Sequence, residues 1–411
     1  MTNTVAASPA KTLFGRPDTL LPEGGKPIRV GDHPLISNQG VVRPTQLEVD
    51  LDRIADNYRL IADHVGRPVM PVLKANAYGH GLVEVAGRLA REGAPYLGVA
   101  YLEEALLLRE RGVGTPILVL GGIMENQIPL FVRNDITLTA SSVEKLRQID
   151  EAAAGLGRRA RVHLKIDTGM ERIGVHHYNA LPFLEESVRC RHTDVEGVFS
   201  HLASADASDL SFARLQLERF ASVLRFYEER GLRPPLRHIA NSGAILQLPE
   251  AWLDMVRPGI LLYGVHPSAQ VAALLPVKPA LRWTSRVVYF KVVRAGDPVS
   301  YNSTWRSDHD VRVVTVPVGY GDGYPRRLSN RGEVLIRGRR YPVIGQVCMD
   351  QVVVCLDQDS AYNGDEVVLL GEQEGERISA EELAERSDGI PWEILTAINT
   401  RVPRLYARTA E

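Results

Sequence analysis

Residues 72–81 read Val-Leu-Lys-Ala-Asn-Ala-Tyr-Gly-His-Gly, and no other stretch says as much about fold and chemistry. Lys74 closes an apolar run of Val69, Met70, Val72 and Leu73 and precedes a turn rich in Asn and Gly. A buried strand that ends on a lone ammonium loses hydration without compensation. The placement makes sense if the amine stands at a cavity mouth, where lowered polarity makes it a nucleophile toward a carbonyl. A lysine snorkelling from a strand end would give the same local pattern. Lys74 by itself leaves both readings open.

Before this strand, Leu51, Ile54, Tyr58, Ile61 and Val65 recur every three or four residues, which predicts an amphipathic helix. After it, short apolar runs begin near Tyr96, Pro116, Ile136, Val162, Val195, Leu236 and Met255. Helix-sized segments such as Leu102 to Arg111 and Phe212 to Arg230 separate most of them. Counted with the run at Val72, these βα-type units predict a parallel (β/α)8 barrel. All strand carboxyl ends of such a barrel face one mouth. The ends here carry Lys74, Lys165 with Asp167, His201, Asn241 with Ser242, and Arg257 with Gly259. One polar strand end is unremarkable; five in one barrel predict a site.

From about Thr284 the pattern changes to strand-like runs: 287–293, 311–318, 334–337, 341–347, 352–356 and 367–370. Their connections are mostly too short for crossover helices, so antiparallel β structure is expected. Gly338-Arg339-Arg340 reads as a hairpin turn, and Ser379 with Glu382 as a capping box opening a short helix. The expected organisation is an arm over residues 1–41, a barrel over 42–283 and a β domain over 284–411. The arm, rich in Pro, Gly, Ser and Thr, lacks both periodicity and the apolar core of a secretory signal.

Bulk properties remove several classes. With 411 residues and a formal net charge of -2, the chain has no electrostatic footprint for nucleic acid or anionic lipid. No apolar stretch approaches a membrane span. Cys190, Cys348 and Cys355 form neither a disulfide framework nor a metal-ligand spacing, so no metal and a reducing, cytoplasmic setting are expected.

The segment 72–81 resembles the pyridoxal phosphate (PLP) lysine segment of alanine racemases, and the resemblance extends from about Arg43 to Tyr406. It implies a fold-type III PLP enzyme with Lys74 as the amine that binds PLP and as the base on one face. Tyr78 is similar to the tyrosine whose hydroxyl touches the cofactor phosphate. In Lys165-Ile166-Asp167-Thr168-Gly169-Met170-Glu171-Arg172-Ile173-Gly174, Arg172 resembles the arginine near the phenolic oxygen of PLP and the substrate carboxylate. Lys165 matches the lysine often carbamylated in the family. A carbamate would replace one of two mutually repelling cations by an anion able to hold Arg172.

His201, in Phe199-Ser200-His201-Leu202-Ala203, resembles the imidazole that tunes a catalytic tyrosine together with Arg257. His238-Ile239-Ala240-Asn241-Ser242 and Met255-Val256-Arg257-Pro258-Gly259-Ile260 resemble the phosphate cup: Asn241 and Ser242 from the first, the amides of Gly259 and Ile260 from the second. The resemblance places Arg257 against the pyridine nitrogen. An arginine donates there but does not readily yield a proton. The ring then stays a weaker electron sink, which disfavours decarboxylation and transamination; related decarboxylases present a carboxylate instead.

The β domain resembles the part that supplies the opposite face. Tyr301, in Pro298-Val299-Ser300-Tyr301-Asn302-Ser303-Thr304-Trp305, would be the second base. A phenol with an ordinary pKa of ~10 needs cationic neighbours to ionise at neutral pH. Tyr320 lies in an entrance turn, and Met349, followed by Asp350, matches the residue whose amide meets the substrate carboxylate. Before Arg401-Val402-Pro403-Arg404 some family members have a tyrosine at the gate; this chain has Thr400, which implies a wider entrance.

The implied activity is interconversion of L- and D-alanine, for peptidoglycan or alanine catabolism, in a homodimer with shared sites. The competing readings are a broad-specificity racemase, disfavoured by Ile173 where such enzymes carry Asn, and a PLP-binding protein without catalysis, disfavoured by Tyr301 and Met349.

Overall fold

The computed structural model describes residues 43–271 and 274–406; the expected arm over 1–41 lies outside them. The helix expected from the spacing of Leu51, Ile54, Tyr58, Ile61 and Val65 is Leu51–Val65. Asp50 caps it by accepting the Arg53 N–H at 2.9 Å, and Gly66 ends it at φ 56°, a left-handed stop that suits glycine.

The expected parallel runs pair in sequence order. Val72 bridges Gly98; Leu97–Val99 pairs with Ile117–Val119; and Leu118 bridges Thr137. Leu138–Ala140, Ala160–Asp167, Thr193–Phe199 and Leu236–His238 follow, each parallel to the one before. The Met255 run closes the circle through a parallel bridge between Val69 and Val256, with Met70 N–H on Val256 O at 2.8 Å. Strands such as Leu97–Val99 and Ile117–Val119 are buried at every residue, as in a sheet covered on both faces. One consequence is that polar residues on Ala160–Asp167 (His163, Lys165, Asp167) are buried too.

The C-terminal domain is a large, mainly antiparallel sheet that includes Leu281–Arg286, Tyr289–Val293, Val311–Val316, Glu333–Ile336, Arg339–Ile344, Val352–Asp357 and Glu366–Gln373. Gln46–Val49, although it precedes the barrel, lies in this sheet between Leu281–Arg286 and Arg404–Tyr406. The chain therefore starts and ends its described course in the same sheet and threads the barrel in between.

Two local expectations need correction. The hairpin turn is Arg337-Gly338, at φ 52° and 66°, and Arg339 and Arg340 already belong to the next strand. A two-residue turn of this hand requires positive φ at both positions, so Gly338 takes the second. Ser379 does cap Ala380–Arg386 by accepting the Glu382 N–H at 3.1 Å. The reciprocal half of the box does not form, because the Glu382 carboxylate accepts from Arg340 and Arg386 instead. Among the described residues no helix is long and apolar enough to cross a membrane.

Candidate active site

At the barrel mouth an open cavity of about 570 Å³ gathers residues from nearly every strand end. Lys74, Tyr78, Lys165, Arg172, His201, Asn241, Ser242, Arg257, Gly259 and Ile260 all line it.

Lys74 begins a turn in which Ala75, Asn76, Ala77 and Tyr78 have φ of 54°, 56°, 52° and 52°. Four successive non-glycine residues in the left-handed region cost roughly 1–2 kcal/mol each, and such strain persists only where the surroundings impose it. Here they do. The Glu104 carboxylate accepts the Ala75 N–H at 2.7 Å, Asn76 Oδ1 accepts the Leu82 N–H at 2.8 Å, and Ala77 N–H reaches Leu73 O at 2.7 Å. Gly79 is needed because a Cβ would lie 2.3 Å from Leu395 O. Arg404 donates to Gly79 O at 2.8 Å from the chain's last described strand. Burial lowers the Lys74 pKa, Arg172 lowers it further, Glu104 opposes and Arg257 adds to the lowering.

The floor is cationic. Arg257, buried to 3 % exposure, donates to Ser200 O at 2.8 Å, His238 Nδ1 at 2.9 Å and His201 Nδ1 at 3.2 Å. Burial pushes its pKa down to about 9, which leaves it charged at neutral pH. His201 is held neutral by burial and then by the charges of Arg257, Lys165 and Arg172. Lys165, 4 % exposed, has its Nζ 4.8 Å from the Phe199 ring centroid. Burial and Arg257 take its pKa well below the ordinary lysine value. Asp167 opposes that lowering by its charge and also holds the loop: its carboxylate accepts the N–H groups of Gly169 (2.8 Å), Met170 (3.0 Å) and Arg172 (3.1 Å). It thereby fixes the segment from which Arg172 projects.

At the opposite end the cavity is a cup of hydroxyls and backbone. A Cβ on Gly259 would lie 2.4 Å from Tyr78 Oη. Burial keeps the Tyr78 phenol protonated, so it can only donate to an anion. Ser242 Oγ accepts the N–H of Gly259 at 3.0 Å and of Leu261 at 3.4 Å, which leaves its own O–H to donate. Asn241, which also lines the cavity, caps the following helix. Its Oδ1 accepts the Ala244 N–H and its Nδ2 donates to Leu202 O, both at 3.1 Å.

Tyr301, Tyr320, Met349 and Asp350 do not line this cavity. They lie on the β domain, with Tyr301 at 68 % and Met349 at 53 % exposure. They are drawn toward one another there: Ser300 Oγ donates to Gln346 O at 2.7 Å, and Gly321 N–H donates to Met349 O at 2.8 Å. Asp350 accepts from Arg401 at 2.6 Å.

Thr400 is exposed and is not among the residues that line the cavity of this chain. Ile390 and Trp392 line it instead, because the helix Pro391–Ala397 docks against Gly79 and points its first turn at the mouth. The signal missed was Ile390-Pro391-Trp392 itself, an apolar pair around an N1 proline. Glu104 gave no such signal, being one of two acids in a first turn.

Two family models describe the chain: the alanine racemase N-terminal domain over residues 49–267 and the C-terminal domain over 280–406. The chain belongs to the alanine racemase family. That membership makes it a PLP-dependent amino-acid racemase. A relative from Carboxydothermus hydrogenoformans, an alanine racemase, is 46 % identical over 368 residues, 89 % of this chain and 100 % of that one. Alanine racemase 2 of Caldanaerobacter subterraneus subsp. tengcongensis is 44 % identical over 374 residues, 90 % of this chain and 96 % of the relative. Among solved structures, alanine racemase from a D-cycloserine-producing Streptomyces lavendulae superposes with a TM-score of 0.86 at 37 % identity, covering 90 % and 98 % of the two chains. The Bartonella henselae enzyme, solved with covalently bound pyridoxal phosphate, gives 0.81 at 29 % identity over 89 % and 99 %.

Proposed function

We propose that this chain interconverts L- and D-alanine by moving the α-proton between two bases, Lys74 and Tyr301 of the partner subunit. The observation that carries the reading is the cavity itself, which sets a desolvated amine, a guanidinium floor and a hydroxyl cup in one mouth. These residues fit PLP: Lys74 to hold it covalently, Tyr78 and Ser242 to donate to its phosphate, Arg257 to face its ring nitrogen. Bound PLP supplies the electron-withdrawing system that acidifies the substrate's α-proton.

The rest is work for the chain's own side chains. Arg172 meets the amino acid's carboxylate at the mouth. Lys74, its pKa lowered by burial and by Arg172, takes or returns the proton on the face serving the D-enantiomer. Tyr301 serves the L-enantiomer. Its exposure in a single chain supports a two-fold dimer in which the β domain of one subunit closes the barrel of the other, with Met349, Tyr320 and Asp350 beside it. Lys165, buried between cations that lower its pKa, adds carbon dioxide through its neutral amine and loses a proton to become a carbamate that holds Arg172. Ile173, Ile390 and Trp392 give the cavity apolar walls, which supports a small side chain over a broad range.

The racemisation would supply D-alanine for peptidoglycan or serve alanine catabolism. The three cysteines stand as free thiols, in keeping with a cytoplasmic enzyme. The test is α-proton exchange in deuterated water with a panel of amino acids. Alanine should exchange with inversion and lead the panel; exchange without inversion, or a preference for large side chains, would overturn the proposal.

A further inference from the structure

Beneath Arg257 the barrel interior holds two histidines that the proposed reaction does not use. His238 and His163 are both fully buried. Arg257 Nη1 lies 2.9 Å from His238 Nδ1, and His238 Nε2 lies 2.8 Å from His163 Nδ1. The His163 Nε2 atom has no hydrogen-bond partner.

The chemistry of the groups fixes every proton in this series. A guanidinium has donors and no acceptor, so His238 Nδ1 must offer its lone pair. A neutral His238 then carries its proton on Nε2 and donates it to His163. His163 Nδ1 is therefore an acceptor as well, and its own proton sits on Nε2. Burial and the Arg257 charge both oppose protonation of either ring, and the His163 pKa is pushed down to about 3. The packing is built for this arrangement. Phe199 stacks on His238 with centroids 4.9 Å apart, and Gly197 has no Cβ because one would lie 2.4 Å from His163 Nδ1.

We propose that His238 and His163 are positioning residues that hold the Arg257 guanidinium in its donating pose and so keep the reaction to racemisation. Polarisation along the series strengthens the Nδ1 acceptor that Arg257 meets, and the leftover buried Nε2–H is the cost of ending it in an apolar interior. The inference rests on the reading of Arg257 as the group facing the ring nitrogen.

The test compares shape-matched variants of the holoenzyme. In Asn, the carboxamide oxygen sits near the place of the histidine Nδ1, so His238→Asn and His163→Asn keep the acceptor, whereas the two Leu variants delete it. His238→Leu should raise pyruvate released per racemisation turnover about tenfold or more, the scale of a lost charge-assisted hydrogen bond, with little change in the KM for alanine. His163→Leu should act in the same direction more weakly, and each Asn variant should restore the ratio. Equal loss of kcat in Leu and Asn variants with an unchanged ratio would overturn the proposal. Arg257→Glu separates the two layers: if it raises pyruvate and His238→Leu does not, the histidine proposal alone fails. If neither does, the reading of Arg257 falls.

Should the Leu variants not fold, nitrogen-15 spectra of histidine-labelled holoenzyme still decide. Two neutral Nε2–H tautomers are expected, assigned by their loss in the Asn variants. An Nδ1–H tautomer or a charged ring at either position at neutral pH overturns the proposal.

Discussion

The turn after Lys74 and the turn around Tyr301 are built from the same strained material and finished in opposite ways. Ala75 to Tyr78 are all left-handed; so are Ser300, Asn302 and Ser303, at φ 64°, 62° and 53°. The first turn is held by Glu104, by Asn76 and by the chain's own C-terminal segment, and its lysine is desolvated among cations. The second is held from behind, by Ser300 on Gln346 O and by the bridge between Val299 and Trp305, while its phenol stands 68 % exposed. Strained non-glycine backbone concentrates where a side chain must be aimed. One turn has its chemical environment already; the other has only its aim, and in the proposed dimer the facing barrel would supply the rest.

The harshest way to break this contrast is to remove the lysine. Lys74→Ala should abolish covalent PLP binding and lower racemisation by about 10⁴-fold or more, at or beyond the upper end for acid–base groups. Borohydride reduction followed by peptide mapping must place the cofactor on Lys74. A tag on another lysine would sink the assignment.

Tyr301→Phe should leave PLP bound and slow proton exchange from L-alanine by about 10²–10⁴-fold. It also sharpens the comparison, since the two turns are proposed to meet only across a dimer. Mixing Lys74→Ala with Tyr301→Phe chains should recover about a quarter of wild-type activity, because half the dimers are then mixed and each has one intact site. Subunit exchange without recovered activity would show that sites are not shared.

How far the sequence alone reaches follows the same division. The barrel was legible because five of its strand ends carry unusual residues, and because a helix such as Leu51–Val65 repeats its apolar face over several turns. Gln46–Val49 was not legible as part of the second sheet: four residues with two apolar positions look alike in either domain, and only pairing with Leu281–Arg286 and Arg404–Tyr406 assigns them. Asn241 shows another limit. A polar residue at a strand end can cap a helix and still face a cavity, and only its bonds to Ala244 and Leu202 reveal the cap. Trp392 was not legible either, because Ile390-Pro391-Trp392 reads as an ordinary helix start and only the docking of Pro391–Ala397 brings it to the cavity.

Glu104 tests how the Lys74 turn is held. Its carboxylate accepts from Ala75 at 2.7 Å and from Ala100 at 2.8 Å, and Gln would turn an N–H toward one of them. Glu104→Gln should therefore cost about 1–3 kcal/mol of stability, read from denaturant unfolding of the holoenzyme. The lost anion also lowers the Lys74 pKa further, so the pH limb for PLP capture by the apoenzyme should move to lower pH. A limb moving upward would mean that Glu104 does not act on the amine.

The smallest effect concerns a histidine on the inner side of the same turn. His80 is fully buried and its Nδ1 lies 3.0 Å from Tyr78 O and 3.2 Å from Ala77 O, so that nitrogen donates and braces the two last left-handed residues. Burial pushes the His80 pKa down to about 4 from an ordinary 6.5. A native pKa below the unfolded one means that the folded state binds fewer protons as the medium is acidified. The contribution is fully present above about pH 6.5 and is lost as pH falls toward 4. On the β domain His309 has the opposite sign: hydrogen bonds to Asp308 and Asp357 raise its pKa, so its contribution is present at low pH and lost as pH rises through that raised value. His80→Asn keeps a donor where Nδ1 stands but cannot titrate. Its melting temperature should sit close to wild type at neutral pH and fall less steeply between pH 6.5 and 4, whereas His309→Asn should leave that acid slope as steep as before or steeper. If the His80→Asn and wild-type profiles run parallel, the acid sensitivity of the fold does not originate in the turn that carries Lys74.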